Sequence, residues 1–340
     1  MAVNAFGIDL GTYNIKIYNG FFDEISSQKN IIAVQKLQNK KRVYAYGDQA
    51  FEMYEKAPAN ITVSFPVVNG VIADINHMQV LLKNFISDSM NGNIKNADFY
   101  ISVPTDVTEV EKRAFFDLVR EAGVKAKNIY VVEKAIADGI GLDVDVMNSQ
   151  GILVVNVGYE TTEISILSMG GIVLSRLLKT GGKKFDESIK NIIRKEYNLL
   201  VGIKTAEKIK VNLEQLKANE EDAVVFGRDI VTGLPVERSI PTRLVEKAMS
   251  EHFENIIDNV RVILERTPPE LGADIYKNGI FLTGGSACIG NLKELLGRNT
   301  GLKVSISQYG KESVAYGLSQ IIKDGQYKNV TYSMQDLLNY

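Results

Sequence analysis

In the opening segment, AFGIDLGTYNIKIYNGFF, apolar residues alternate on either side of a polar tip, DLGTYN. Period-two alternation around a Gly-containing turn predicts a β-hairpin. The same design returns at GILVVNVGYETTEISILSMGGIV, where a short Gly/Thr turn again joins two apolar strands; an internal duplication is the simplest reason. Between the two hairpins, NIIAVQKL and RVYAYG read as short strands, and PVVNGVIADI, punctuated by Pro and Gly, completes a small inserted subdomain. HMQVLLKNFISDSM has helical spacing, FYISVP reads as a strand, and Thr108 to Gly123 as an amphipathic helix stopped by Gly. NIYVVE then predicts a strand and KAIADGIGL a helix. The second hairpin leads into helices over FDESIKNIIRKEYNLL and TAEKIKVNLEQLK, a polar strand pair around GRDIVTGLP, and the long helix LVEKAMSEHFENIIDNVRVILERTP. The strand GIFLTGG and the helix SVAYGLSQII complete the order. Strands alternate with helices in both halves, so the expected class is α/β with a mixed sheet in each of two lobes.

Length agrees with two lobes: 340 residues, 45% of them apolar, exceed the roughly 250–300 at which a single core stops growing. Charge is nearly balanced, 39 basic against 41 acidic residues, and interleaved, which argues against a cationic face for nucleic acid. Cys288, the single cysteine, cannot form an internal disulfide; it fits a reducing compartment and is expected as a small buried thiol. No apolar run reaches the ~20 residues that cross a bilayer, and Met1 leads straight into the strand-like AVNAFGIDL without a signal-peptide pattern. The cytoplasm is the expected location.

Two turns carry the chemistry. DLGTYN puts Asp9 before Gly11, Thr12, Tyr13 and Asn14, so that backbone amides can face a phosphate with the Thr12 and Asn14 side chains as further donors. An ordinary hairpin turn also favours Asp, Gly and Asn. About 150 residues on, NVGYETTE supplies Asn156, Gly158, Tyr159, Glu160, Thr161 and Thr162. Two such turns, each heading its own half, predict a clamp that closes on ATP from both sides. In TGGSACIG, Gly284, Gly285 and Ser286 permit close approach of a flat base or sugar. Glu207 and Lys210 lie three apart on one helix face, placed to meet a ribose or base edge, although such a pair is also ordinary solvated surface.

The order of these elements resembles the actin-like family and, within it, the MreB branch of bacterial filament proteins. The likeness runs through GIDLGTYN, NGVIADI, VPTDVTEVEKRAFFDLVREAG, GGIVLSR, EYNLLVGIKTAEKIK, GRDIVTGLP, LERTPPELGADI and GIFLTGGSA. GRDIVTGLP and LERTPPELGADI are specific to that branch, whereas the phosphate turns alone also suit heat-shock ATPases and sugar kinases. The Asn, Lys and Ile bias and the altered site suggest a divergent paralogue like those of wall-less helical bacteria. The resemblance implies an actin-like duplicated fold in four subdomains: residues 1–30, 76–145 and 317–340 as IA, 31–75 as IB, 146–180 and 243–316 as IIA, and 181–242 as IIB. It implies ATP or ADP with Mg²⁺ in the cleft and head-to-tail self-assembly. Thr12 and Asn14 fall on phosphate, Asp9 on the metal through water, and Thr161 on phosphate or the attacking water. Glu207 and Lys210 fall on adenosine, and Gly284 to Ser286 under the base; Gly181 and Gly182 join the nucleotide-binding set.

Three departures fall where the chemistry would occur. The second phosphate turn of the family reads DIGGGTTE, so Asn156 replaces a metal-orienting carboxylate and is at best a weak metal ligand, while Tyr159 and Glu160 replace glycines. The family's Glu-Glu-Pro run is Glu133-Lys134-Ala135 here, and its water-orienting second Glu has become Lys134. An ammonium has donors only and cannot serve as that base, so slow hydrolysis with retained binding is expected; Glu133 and Glu160 are candidate surrogate bases. Glu160 is also expected to pair with Lys134 across the cleft, a contact of ~4 kcal/mol at ~4 Å and an effective dielectric of ~20 before desolvation. In the alternative, Lys134 contacts the γ-phosphate itself.

These readings favour an ATP-binding filament protein, serving cell shape or motility, that is at most a slow ATPase. A non-hydrolysing scaffold copolymerising with paralogous actin-like proteins, and a small-molecule kinase on the same fold, are the alternatives. Membrane contact is expected to be at most peripheral, at the inner face: SMNGNIKNADF offers no apolar pair to insert, and the tail YKNVTYSMQDLLNY reads as an ordinary exposed terminus.

Overall fold

A computed structural model describes residues 3–37, 40–90 and 96–333. The first lobe is built on a six-stranded sheet. The hairpin Ala5–Leu10/Asn14–Asn19 continues into Glu24–Lys29 on one side. On the other, Ala97–Val103 and Ala126–Glu133 add in parallel, and Thr331–Tyr332 closes the edge. The second lobe repeats the plan with five strands: the hairpin Ile152–Val157/Thr162–Ser168, the outer strand Gly171–Leu178, and the parallel strands Ile280–Thr283 and Val304–Ile306. Each hairpin strand is buried on both faces, as a central strand covered by helices must be. Two small three-stranded sheets are inserted, Ile32–Leu37, Lys40–Tyr46 and Ile61–Ser64 in the first lobe, Leu199–Leu200, Ala223–Asp229 and Pro235–Ile240 in the second.

The predicted helices form where their signals lie. Glu109–Glu121 starts at a capping box in which Thr108 and Glu111 satisfy each other's backbone amides, and Ile75–Ser89 starts on Asp74, whose carboxylate accepts from the His77 amide. Among the described residues three α-helices have no counterpart in the sequence reading: Gly47–Met53, Pro269–Asn278 and Leu292–Thr300. Each is ten residues or shorter, too short for an apolar period to stand out. Cys288, expected to be buried, is exposed, because the turn after Ile280–Thr283 buries its neighbours Ala287 and Ile289 instead.

Two helices join the lobes beneath the cleft, Lys134–Ile140 and Ser313–Lys323, and they pack on each other. Their crossing is backbone on backbone: a Cβ on Gly317 would lie 1.7 Å from the Ala137 carbonyl oxygen, and one on Gly141 1.9 Å from that of Ser313. Glycine at both positions is therefore a packing requirement. Residue 317, where the resemblance puts a subdomain border, lies within the second of these helices, which contacts both strands of the first hairpin.

Candidate functional site

Hairpin register sets the first charge pair. In the antiparallel ladder Asp9 stands opposite Lys16, and cross-strand partners point to the same face, so Lys16 Nζ reaches Asp9 Oδ2 at 2.6 Å in a buried contact. In the duplicate hairpin the same two positions are Asn156 and Glu163, again paired in register. Lys134, first residue of the joining helix, lies between the hairpins: its ammonium is 3.9 Å from Asp9 Oδ1 and 3.5 Å from Glu163 Oε1. Burial opposes ionisation of Asp9, but Lys16 and then Lys134 hold its carboxyl below the usual range. Burial pushes Glu163 the other way, against Lys134 and the Thr105 donors.

The second turn is fixed from behind. Gly158 N donates to Thr161 O at 2.8 Å, closing the turn, and Ser286 Oγ donates to Gly158 O at 3.1 Å. Gly284 has φ +90, and a Cβ there would sit 2.4 Å from the Val157 carbonyl; only glycine lets the TGGSA turn lie this close. Asn156 Nδ2 donates to Asp138 Oδ2 at 2.6 Å, and Thr283 and Ser313 donate to the same buried carboxylate. Asp138 thus orders the base of the cleft without lining its main cavity. Sequence reading missed it because an acid inside the helix KAIADGI looks like surface until its helix is buried.

Between the turns lies a cleft of about 340 Å³. Of the expected site residues, it is lined by Asp9, Gly11, Thr12, Tyr13, Asn14, Lys134, Asn156, Gly158, Tyr159, Glu160 and Thr161 at the polar end, and by Glu207, Lys210, Gly284, Gly285 and Ser286 beyond. Lys16, Lys29 and Lys311, which the sequence did not single out, line it too, so five lysines face three carboxylates, a surplus of two positive charges. Val211, Ile289 and Val314 give the far end an apolar wall suited to a flat base.

Several expectations are corrected here. Glu160 does not pair with Lys134: its carboxylate takes Lys183 at 2.7 Å and the Asn69 amide at 2.5 Å, because the turn aims it at the 67–72 hairpin, where Gly70 packs on Thr161. Glu133 is turned away from the cleft to Lys112 at 3.0 Å and Tyr332 at 3.1 Å, as its place at the end of a strand, one residue before Lys134, dictates. Thr162 is fully buried and donates to Thr180 O, while Gly181 and Gly182 support the second turn from behind, with Gly182 N donating to Gly158 O. Glu207 and Lys210 both line the cleft, each with a partner of its own. Glu207 accepts from the Tyr13 hydroxyl at 2.5 Å, and Lys210 is held by Asp186 at 2.7 Å and by Gly182 O.

The duplicated hairpins, the cleft between them and the crossed helices below match known proteins over the whole chain. The MreB/Mbl protein family matches residues 3–329. The chain belongs to the MreB/Mbl family. The cell shape-determining protein Mbl of Bacillus subtilis (strain 168) is 35% identical over 314 residues, 92% of this chain and 93% of Mbl. The crystal structure of Spiroplasma citri MreB5 bound to ADP superposes with a TM-score of 0.89 at 34% identity, covering 96% of this chain and 98% of that one; the same protein bound to AMPPNP gives 0.88. A MamK double helical filament, at 22% identity and a TM-score of 0.75 over 94% of this chain and 98% of that one, shares the fold. The architecture of this MreB/Mbl chain is therefore actin-like. No helix among the described residues is long and apolar enough to cross a membrane, and the SMNGNIKNADF and tail segments considered for membrane contact include residues 91–95 and 334–340, outside the described residues.

The donor set does not suit the Mg²⁺ that the resemblance implies. A magnesium ion keeps near-ideal octahedral oxygen coordination, at ~2.0–2.1 Å, through one or two carboxylates, water and the substrate's phosphates, so the protein's share rests on its carboxylates. Here one oxygen of Asp9 is taken by Lys16 and the other faces the ammonium of Lys134, while Asn156 brings no charge and has its amide nitrogen tied to Asp138. Among the described residues no cluster of three His, Cys, Asp or Glu could hold a metal.

Proposed function

We propose that this MreB/Mbl chain binds ATP between its two phosphate turns, assembles head to tail into cytoplasmic cytoskeletal filaments, and hydrolyses the nucleotide slowly. The observation that carries the reading is Lys134, an ammonium between Asp9 and Glu163 at the phosphate end of the cleft. Attack of water on a γ-phosphate needs an acceptor that orients the nucleophile or takes its proton, and Lys134 has none to offer. The carboxylates around it are engaged: Glu160 by Lys183, Glu163 by Thr105 and Lys134, Glu133 outside the cleft. Binding is supported by the cradle itself and by relatives in the same family, since MreB5 has been crystallised with ADP and with AMPPNP. Filament formation is supported by membership of a family that includes the cell shape-determining protein Mbl, and open head-to-tail contacts propagate into polymers. Thr161, which lines the cleft, is the residue proposed to hold the terminal phosphate.

Phosphate release and ATP-dependent pelleting test this together. Wild-type protein is expected to pellet with ATP while releasing phosphate slowly. Lys134→Glu is expected to gain at least about tenfold in turnover, a part of the ~10²–10⁴ that a positioned base supplies. Wild-type turnover as fast as that of family members carrying the Glu would refute the slow-hydrolysis reading, and a strictly monomeric protein at high concentration the filament reading. Co-pelleting only with active paralogues would instead favour the copolymerising scaffold.

A further inference from the structure

We infer that Lys134 and Lys16 replace the divalent cation: the cleft takes nucleoside tri- and diphosphates in their metal-free form. The inference rests on the reading of the cleft as a nucleotide site and adds to it which species enters. Three observations point the same way. First, Asp9, the residue placed to hold a hydrated metal, is already neutralised. Lys16 contacts one oxygen at 2.6 Å, and the other accepts no hydrogen bond and faces the Lys134 ammonium at 3.9 Å. A second cation at that oxygen would be repelled by both lysines.

Second, Lys134 is bound loosely. Neither of its carboxylate contacts is closer than 3.5 Å, whereas the other buried lysine pairs of the cleft, Lys16 with Asp9 and Lys210 with Asp186, close to 2.6 and 2.7 Å. A compact ammonium with three donors on a flexible stem that lines the cleft without a tight partner is available to phosphate oxygens. Those oxygens are the acceptors a metal would otherwise neutralise.

Third, the cleft as a whole complements a bare polyphosphate. Its lining carries five lysines against three carboxylates; from outside the lining Lys183 neutralises Glu160 and Asp186 neutralises Lys210, so the surplus of two positive charges stands. A metal–nucleotide complex needs one or two carboxylates beside the substrate phosphates, and here the acid placed for it, Asp9, is already paired with Lys16. The two hairpins also differ in kind. At equivalent register positions one has Asp9 and Lys16 and the other Asn156 and Glu163, so two acids and one base from the strands, with Lys134 bridging the acids, close a charge network that needs no ion.

The test is titration of the purified full chain with a fluorescent ATP analogue in excess EDTA and in excess Mg²⁺. Wild-type affinity is expected to differ by less than about threefold, under ~0.7 kcal/mol. In Lys134→Glu, affinity in EDTA should fall at least about tenfold below that in Mg²⁺, because the added carboxylate repels free phosphate and recruits the ion. Lys134→Met keeps the stem without the charge, and should lose at least about fivefold in EDTA and recover less with Mg²⁺ than the Glu variant. A wild-type chain that binds in Mg²⁺ and loses tenfold or more in EDTA overturns the inference while leaving the nucleotide site intact. Binding in neither condition overturns the nucleotide reading, and this inference with it. Since wild type alone decides between these outcomes, a variant that fails to fold does not protect the idea.

Discussion

Tyr13 and Tyr159 stack across the cleft, their ring centroids 4.3 Å apart and their planes inclined by 30°. One ring belongs to each phosphate turn, and Phe65 extends the stack from the first lobe. Lys29 lies 3.7 Å above the Tyr13 ring, and the Tyr13 hydroxyl is spent on Glu207 of the second lobe. Burial, then Glu207, raises the Tyr13 hydroxyl well above its ordinary pKa, so it remains a donor throughout the working pH range. This arrangement ties the lobes where the proposed nucleotide would pass. An aromatic pair is worth ~0.5–1.5 kcal/mol beyond its buried area, so Tyr159→Gly is expected to speed nucleotide exchange by roughly two- to tenfold in a fluorescence chase. Tyr13→Phe, which keeps the ring and loses the bond to Glu207, should show a smaller change; an unaltered exchange rate in both variants would show that the stack does not restrain the lobes.

Asp138 carries three donors, from Asn156, Thr283 and Ser313, and is itself buried. Removing the acceptor strands all three. Asp138→Ala is expected to lower unfolding stability by about 3 kcal/mol, since each buried unsatisfied group costs ~1–3 kcal/mol and the site relaxes in part. Urea unfolding monitored by circular dichroism measures it, and a loss below 1 kcal/mol would mean that the donors find other partners.

Asp186 gives the fold a pH dependence of defined sign. Burial raises its carboxyl from 3.8 to about 7, against the pull of Lys210. Between those values the folded chain keeps a proton that the unfolded chain has released, so this group's contribution to stability falls as pH rises from about 4 to about 7 and is level above. The midpoint of thermal unfolding should therefore fall more steeply with pH across that window in the wild type than in Asp186→Asn. Parallel profiles would remove Asp186 as the source.

The hairpin Ala223–Asp229/Pro235–Ile240 leaves a row of apolar side chains in solvent: Phe226 is 69% exposed and Val231, at its tip, 79%. Val224, Ile230 and Leu234 adjoin them. On the proposed reading that the chain assembles with itself, an apolar patch of this kind is the expected contact with the next copy. Burying a large apolar side chain is worth ~1.5–3 kcal/mol, so Phe226→Ser and Val231→Ser should each raise the concentration needed for pelleting by about tenfold or more. ATP affinity of the unassembled protein should stay the same. Unchanged assembly would place the contact elsewhere.

Some of the site was legible beforehand and some only seemed so. The paired turns at Asp9–Asn14 and Asn156–Thr162 line the cleft because a Gly-containing tip between apolar strands can fold in few ways. The Asp9–Lys16 pair was also within reach: a hairpin centred on its turn puts those two residues opposite each other. Glu160 shows the limit. Its charge suggested Lys134 as a partner, but the turn points it toward Lys183 and Asn69, and direction at a turn depends on what packs behind it.

The sequence by itself determined the two hairpins and the order of the longer strands and helices, the duplication, the family, and the loss of a proton acceptor at position 134. Each of these is a local pattern or the chemistry of a single side chain. Tertiary structure alone decided which charges meet: Lys134 with Asp9 and Glu163, Asp138 beneath Asn156, Tyr13 against Tyr159 and Glu207. An ion pair or hydrogen bond falls off within about 4 Å, and these partners come from segments whose mutual distance at that scale is set by the packing of two lobes around one pair of crossed helices.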